Sequence, residues 1–394
     1  MAAVTIAVMP RDRFSVSAEC LQRIFDHTEI PFDLILVDCD MPDSYRQAIS
    51  QVLTGRENAR ILRADRYLLP NECRNLAIAE ARGDLVCLVE NDILVSDRWL
   101  SGLMAVLEEE EAGLAVPFLI EGRPGSQSKP HFDDNLGHVE AVQTSDGPRY
   151  LIKPRRHRKE DDVDATERRI VQFVETHCLL FRREVLAAGG LFDPRVNTSE
   201  EIDLSMALYH QDVRIAYDPR CHVHYVQPSF PVSTDDRAYF LMKWDVEHAR
   251  ESHRTIEEKW KLAEFPQPLG FVEERHAKAT DLLAGWKQEL LSRVGEDELI
   301  LLVDYFQWQD TEATAGLNVQ RFVEKGGDYW GDPPDEATAI EDLEQKRAEG
   351  AALLVLSWYA FWYLSVFGAF ADHLKARYPK VVDNDHMIAF DLRG

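Results

Sequence analysis

Apolar residues near the start of the chain fall in short unbroken runs, separated by stretches in which apolar positions recur every three or four residues. VTIAVM (Val4 to Met9), FDLILV (Phe32 to Val37), the shorter RIL (Arg60 to Leu62) and LVCLV (Leu85 to Val89) are the runs, and they predict buried strands. SAECLQRIFDH (Ser17 to His27), Ser44 to Leu53 and NECRNLAIAEA (Asn71 to Ala81) have helical spacing, the last stopped by Gly83. Strands apolar on both faces and alternating with helices imply a mostly parallel sheet covered on both sides. Such sheets hold ligands at the carboxyl ends of their strands, where Asp38, Asp40, Glu90 and Asp92 stand.

Farther along, Leu114 to Ile120 continues the strand pattern. Glu121 to Arg169 then turns polar, carries the mixed run KPRRHRKEDDVD and has no apolar period, the mark of a loop or lid. Regular structure is expected again over Gln172 to Phe181, as a helix from about Glu201 to His210 and as a strand around Val213 to Tyr217. After the proline-bearing stretch Gln227 to Val232, the pattern predicts long helices over Asp236 to Leu262 and Glu273 to Arg293. A second α/β unit follows, with strands expected at Glu298 to Val303, Ala352 to Leu356 and His386 to Leu392, and helices at Asp335 to Glu349 and Phe367 to Tyr378. The expected division is 1–232, a helical connector 233–294 and a smaller α/β module 295–394.

The length of 394 residues agrees with more than one domain of roughly 100 to 200 residues. With 69 acidic against 44 basic side chains the formal charge is −25, a field that opposes nucleic acid and anionic membrane surfaces. The six cysteines are scattered without a C-x-x-C pair, which fits reduced thiols in a cytoplasmic protein. MAAVTIAVMPRDRF has no basic segment followed by a long apolar one, so no secretory signal is expected. Ala351 to Phe370 is twenty uncharged residues, the length of a membrane span, but amphipathic helix signals follow at once and no span is expected.

Two carboxylates at a strand end suit a hard divalent cation, which takes oxygen ligands and bridges to phosphates. Asp92 equally suits the N-cap of a helix leading to Trp99.

The order of VTIAVMP, LILVDCD, NECRNLAIAEARGDLVCLVEND, HCLLFRREVLAAGGLFDP, SEEIDLSMAL and PRCHVHY resembles the inverting family 2 glycosyltransferases of GT-A fold, over about Val4 to Tyr225. The resemblance implies a nucleotide-sugar site. Pro10 and Arg11 would lie where the nucleotide approaches, Asp38 and Asp40 at the base or ribose, and Arg74 and Asn75 near the diphosphate. Asp84 would reach the nucleotide or cap the strand entry. Glu90-Asn91-Asp92 occupies the D-x-D place, with Asp92 holding Mg²⁺ or Mn²⁺ and Glu90 a departure from the usual Asp. Glu200-Glu201-Ile202-Asp203 stands at E-D-x-D, which makes Glu201 the general base, Asp203 its fallback or a helix-start acid, and Glu200 part of the donor-binding set with Asn91. His224 matches a histidine that completes the metal site, and His222 is its neighbour on the same strand face. Ala207 and His177 depart from the pattern, which has an arginine and a small residue there.

The resulting expectation is a GT-A (Rossmann-like) α/β domain, a helical connector and a C-terminal α/β module. The activity implied is metal-dependent transfer of a sugar, from a UDP-sugar first of all, to a hydroxyl of a glycan or other acceptor with inversion; a homo-oligomer is compatible. One alternative is a non-catalytic scaffold that binds partners or glycans through Trp358, Tyr359, Phe361, Trp362 and Tyr363, whose first role as aromatics is core packing. A sugar nucleotidyltransferase is the other, although no Gly-rich basic loop follows the first strand.

Overall fold

Val4–Met9 (β1) is buried at every position, as a strand with both faces covered must be. It lies between Phe32–Cys39 (β2) and Leu85–Glu90 (β4), parallel to both, and Ala59–Ala64 (β3) runs parallel to β2 at the sheet edge. Helices Ser17–His27 (α1), Asp43–Leu53 (α2) and Pro70–Glu80 (α3) form within a residue of their predicted spans. Pro70 opens α3, where its missing N–H costs nothing, and Glu72 Oε2 accepts from the Leu69 N–H at 2.9 Å. The computed structural model describes residues 4–125, 129–130, 138–153, 167–227, 232–263, 269–270, 272–273, 275–276, 286–295, 297–304, 314, 316–322, 324–325, 328–329, 333, 335–357, 360–384 and 387–393.

Beyond β4 come Ile93–Val95 (β5), Trp99–Glu109 (α4), Leu114–Glu121 (β6), Lys129–Pro130 (β7), the hairpin His138–Thr144 (β8) with Gly147–Lys153 (β9), Arg169–Val171 (β10), Cys178–Arg182 (β11), Arg183–Ala187 (α5), Glu200–His210 (α6) and Ile215–Tyr225 (β12). Across the large sheet the order is β10, β12, β6, β11, β4, β1, β2, β3, with β5 on β12 and β7 on β6. β12 is parallel to β6, whereas β11 is antiparallel to β4 and β6. The α/β class and the large, mostly parallel sheet are those expected.

Three local expectations change. The segment after Asp92 is a strand, because β12 continues to Tyr225 and its far end pairs Ile93–Val95 antiparallel; Trp99 opens α4 fully buried and does not end a helix. β12 is longer than predicted because a bulge between Asp218 and His222 absorbs Pro219, which cannot donate to the ladder. The single helix expected over Asp236 to Leu262 is two, Thr234–Lys243 (α7) and Val246–Trp260 (α8). Asp245 divides them as an N-cap, accepting from the His248 N–H at 2.8 Å.

The polar region contains the β8–β9 hairpin, whose Val139 and Ile152 pack with Ile202 and Met206 of α6 and Ile256 of α8. The KPRRHRKEDDVD run after Lys153 lies outside the described residues, as do 277–285 of the second predicted helix, Trp358 and Tyr359.

The second sheet comprises Leu299–Val303 (β13), Val319–Arg321 (β14), Ala351–Ser357 (β17), Lys380–Asp383 (β18) and Met387–Asp391 (β19), ordered β14, β13, β17, β19, β18. Glu324–Lys325 (β15) and Asp328–Tyr329 (β16) pair separately. One face packs against helices Glu336–Ala348, Tyr363–Val366 and Gly368–Arg377. Its other face, through Ile300, Leu302 and Val355, meets Phe240, Trp244 and Ala249 of the α7–α8 region. The span-length stretch from Ala351 therefore begins as a buried strand, and among the described residues no helix is long and apolar enough to cross a membrane.

Gly83, just before β4, donates its N–H to Thr5 Oγ1 at 2.9 Å. A Cβ there would meet the backbone at Thr5 N (2.7 Å) and Val4 C (2.8 Å), atoms that cannot swing aside. Gly83→Ala is expected to destabilise the protein by about 1–3 kcal/mol, read as a lowered melting temperature; an unchanged melt would show that the β1–β4 entry can open.

Candidate functional site

The carboxyl end of β4 delivers three polar residues into the interior. Glu90, Asn91 and Asp92 are each at most 1% exposed. Asn91 joins β4 to the loop after β1: its N–H donates to Met9 O at 2.8 Å, its Nδ2 to Arg13 O at 2.6 Å and Ser17 Oγ at 2.7 Å, and its Oδ1 accepts from the Arg11 N–H at 3.3 Å. Among the described residues, neither Asp92 oxygen has a hydrogen-bond partner. Burial first, and the Glu90 charge second, push its carboxyl up to about 8.

Glu90 is the opposite case. Its Oε2 accepts from Arg11 Nη1 at 2.8 Å and lies 2.7 Å from His177 Nδ1, while its Oε1 accepts from Arg74 Nη2 and, at 3.1 Å, from Thr176 Oγ1. Burial opposes its charge, but Arg11, His177 and Arg74 outweigh burial and hold Glu90 well below the usual carboxylate range. His177 is 2% exposed, lies tilted against the Tyr225 ring with centroids 4.2 Å apart and contacts Arg11 Nη1 at 2.9 Å. One ligand atom each from Glu90, Asp92 and His177 lies within 4.8 Å of the others. Carboxylate and imidazole donors at that spacing suit a divalent cation.

The second cluster is the start of α6. Glu200 is 3% exposed and accepts from Lys243 Nζ at 3.2 and 3.3 Å, with Arg74 Nη1 3.8 Å away. Burial works against its ionisation, and Lys243, Arg74 and Arg11 overcome it. Glu201, 5% exposed, is raised to about 7 by burial and then by the charge of Glu200. Asp203 faces α8: its carboxylate accepts from Lys259 Nζ at 2.8 Å and Trp260 Nε1 at 2.6 Å, so it fastens α6 to α8.

Several sequence candidates fall elsewhere. His224 bonds the Gly122 carbonyl at 3.2 Å through Nδ1 and adjoins His222; it is the next residue, Tyr225, that reaches His177. Strand alternation explains the exchange, since neighbours on β12 face opposite ways. His177 thus stands with Glu90 and Asp92 in the place expected of His224. Asp84 precedes β4 and lies at the opposite sheet edge, about 20 Å along the strand; it is exposed. Asn75 donates to Phe192 O at 2.8 Å. Asp38, one residue before the end of β2, has Oδ1 accepting from Met41 N–H at 3.0 Å and Oδ2 from Arg46 Nε at 2.9 Å, and Asp40, in the left-handed region at φ 59°, lies 3.5 Å from the same Arg46. Pro10 O accepts from Tyr239 OH at 3.3 Å. Lys243 and Thr176 carried no sequence signal, and His177 showed only as a departure from a pattern.

Residues 11–190 match the model of Glycosyl transferase family 2. A relative, the uncharacterized protein y4gI of Sinorhizobium fredii, is 23% identical over 275 residues, which is 67% of this chain and 28% of the relative; the chain spans under a third of that protein's length. Among solved structures, S. aureus TarS 1–349 in complex with UDP-GlcNAc is similar at 13% identity and a TM-score of 0.42, over 70% of this chain and 71% of that one. The mannosyltransferase PcManGT of Pyrobaculum calidifontis, in complex with GDP-Man and Mn²⁺, is similar at 16% identity and a TM-score of 0.42, over 72% and 71%. The matched residues hold Glu90, Asp92 and His177, whereas Glu201 and Lys243 lie beyond them.

In metal-free protein, Asp92 ties stability to pH. Its folded carboxyl titrates at about 8 and its unfolded one near the ordinary value of about 3.9. The native state therefore keeps a proton that the unfolded chain releases, and stability falls as pH rises from about 4 through about 8. Asp92→Asn holds no such proton. In chelator, the melting temperature of Asp92→Asn relative to wild type is expected to rise between pH 5 and pH 8; a difference independent of pH would refute the buried-acid account.

Proposed function

We propose that this protein, which carries a Glycosyl transferase family 2 region over residues 11–190, uses a divalent cation to transfer a sugar from a nucleoside-diphosphate donor, a UDP-sugar first of all, to an acceptor hydroxyl with inversion. The observation that carries the proposal is Asp92, a buried carboxyl group with neither oxygen hydrogen-bonded among the described residues. Burying such a group uncompensated costs several kcal/mol, and a cation is the partner its neighbours Glu90 and His177 are equipped to share. Asp92, His177 and Glu90 would hold Mn²⁺ or Mg²⁺, which supplies positive charge against the departing diphosphate.

The protein's own groups do the rest. Arg11 and Arg74 hold Glu90 in place, so that end of β4 is rigid before any ligand arrives. Glu201 is the base. A carboxyl near 7 is partly ionised at neutral pH yet retains appreciable proton affinity, the compromise that general-base catalysis favours. As the acceptor oxygen forms its bond to the anomeric carbon, the bond to the diphosphate oxygen breaks on the opposite face and the hydroxyl proton passes to a Glu201 oxygen.

Calorimetry with UDP, GDP and dTDP, each with and without Mn²⁺, tests the donor site. Mn²⁺ is expected to strengthen binding of at least one nucleotide, UDP foremost, and Asp92→Asn to remove that gain; equal affinities with and without metal would end the metal-dependent reading. His177→Ala is expected to weaken Mn²⁺ binding about tenfold or more, the scale at which ligand-shell residues act, while His224→Ala leaves it unchanged. Glu201→Gln is expected to lower turnover by roughly 10²–10⁴-fold with donor affinity intact, and normal turnover would transfer the role of base to another residue.

A further inference from the structure

Glu201 follows a second buried glutamate that no step of the transfer uses. Glu200 is gripped from two elements: Lys243 of α7 reaches both its oxygens, and Arg74 of α3 stands 3.8 Å away while holding Glu90 with its other nitrogen. Both cationic side chains are fully buried. Lys243 also donates to Asn197 O, and Asn197 Nδ2 donates back to Lys243 O at 2.6 Å, so Asn197 holds both the ammonium and the backbone of Lys243. An ammonium so deep in the protein is costly unless paired.

We propose that Glu200, clamped in its ionised form by Lys243 and Arg74, is a positioning residue that sets the pose and the proton affinity of Glu201; this rests on the reading of Glu201 as the base. The charges around Glu201 show what Glu200 offsets. Arg11 acts on Glu201 from the loop after β1 and Lys243 from α7, and the amino end of α6 adds its own positive dipole. All three favour ionised Glu201. His253 of α8 meets Ser199 at the helix start at 3.3 Å, Asp203 is tied to Lys259 of α8, and Glu90 of β4 is screened behind Arg74. Glu200 is therefore the anion next to the base. Burial raises Glu201 first and the charge of Glu200 second; without Glu200 the cations would be opposed by burial alone, and Glu201 would hold the proton it must accept less strongly. Lys243 lies outside the residues that match the family model, so this control is supplied from beyond the matched region.

The pH dependence of kcat/KM, measured as nucleoside diphosphate release at saturating Mn²⁺ from the donor that wild type turns over, separates tuning from mere support. In Glu200→Gln burial alone opposes the cations, and the acidic limb is expected to move down by about one pH unit. In Lys243→Gln, Arg74 keeps Glu200 ionised while one cation near Glu201 is lost, and the limb is expected to move up by about one unit. Donor affinity by calorimetry should stay within about twofold in both. Opposite shifts support the clamp; unmoved limbs, or shifts in one direction, overturn it. Lys243→Arg keeps the charge and covers the case in which a neutral variant does not fold: it should retain the wild-type limb, and a displaced one counts against the proposal. Normal turnover in Glu201→Gln would remove the base reading itself, whereas an inactive Glu201→Gln beside an unmoved Glu200→Gln limb would remove the clamp alone.

Discussion

Arg11, Glu90, Arg74, Glu200 and Lys243 form a buried chain of alternating charge, and the site depends on it. Its members come from five places: the loop after β1, the end of β4, helix α3, the start of α6 and the end of α7. Each ion inside the chain is tolerable only because its neighbours compensate it, and removing one partner of such a pair typically costs about 3–5 kcal/mol. The chain therefore fixes the mutual positions of elements that the backbone leaves far apart. Asp92 sits two residues from one acid of the chain and Glu201 one residue from the other.

The layers of the fold were legible because apolar runs and helical spacing announce them independently of their partners. β5 was not, since three apolar residues become a strand only when another strand's edge is offered, and that edge belongs to the long β12. That acids stand buried at the carboxyl end of β4 was legible from residue type and placement. Asp84 could have been set aside from sequence alone, because it precedes the strand whose far end bears the other acids. The exchange of His177 for His224 needed the register: the Glu90 N–H donates to His177 O at 2.9 Å, a pairing between segments almost ninety positions apart that no local pattern encodes. Lys243 is harder still, since a lysine on a mixed helix ordinarily faces solvent.

The helix that supplies Lys243 also explains why the second sheet matters to the first. Phe240 of α7 and the adjoining Trp244 belong to the apolar layer of β13 and β17, and Trp244 Nε1 donates to Asp12 Oδ1 at 3.1 Å beside the site. Tyr239 meanwhile donates to Pro10 O and Leu68 O. One short helix is thus held on one side by the loop after β1 and on the other by the C-terminal module. Within the stretch expected as a connector, α7 and Trp244 pack against both the loop after β1 and the second sheet.

The charge balance of the chain gives the site a sign opposite to that of the protein. The surface field follows a formal charge of −25 and repels an anionic donor, yet the buried chain has three cations against two acids, and Asp92 at about 8 remains largely protonated near neutral pH without a cation. That local positive excess suits a diphosphate. Arg11 and Lys243 also lower Glu201, against burial and the charge of Glu200, which raise it. On the proposed reading the two demands conflict within a few residues, and an acid at the junction meets them: Glu200 takes up Lys243 and Arg74 and, next to Glu201 on the chain, offsets the cations there, so that a diphosphate would keep its cations while the proposed base keeps its affinity for a proton.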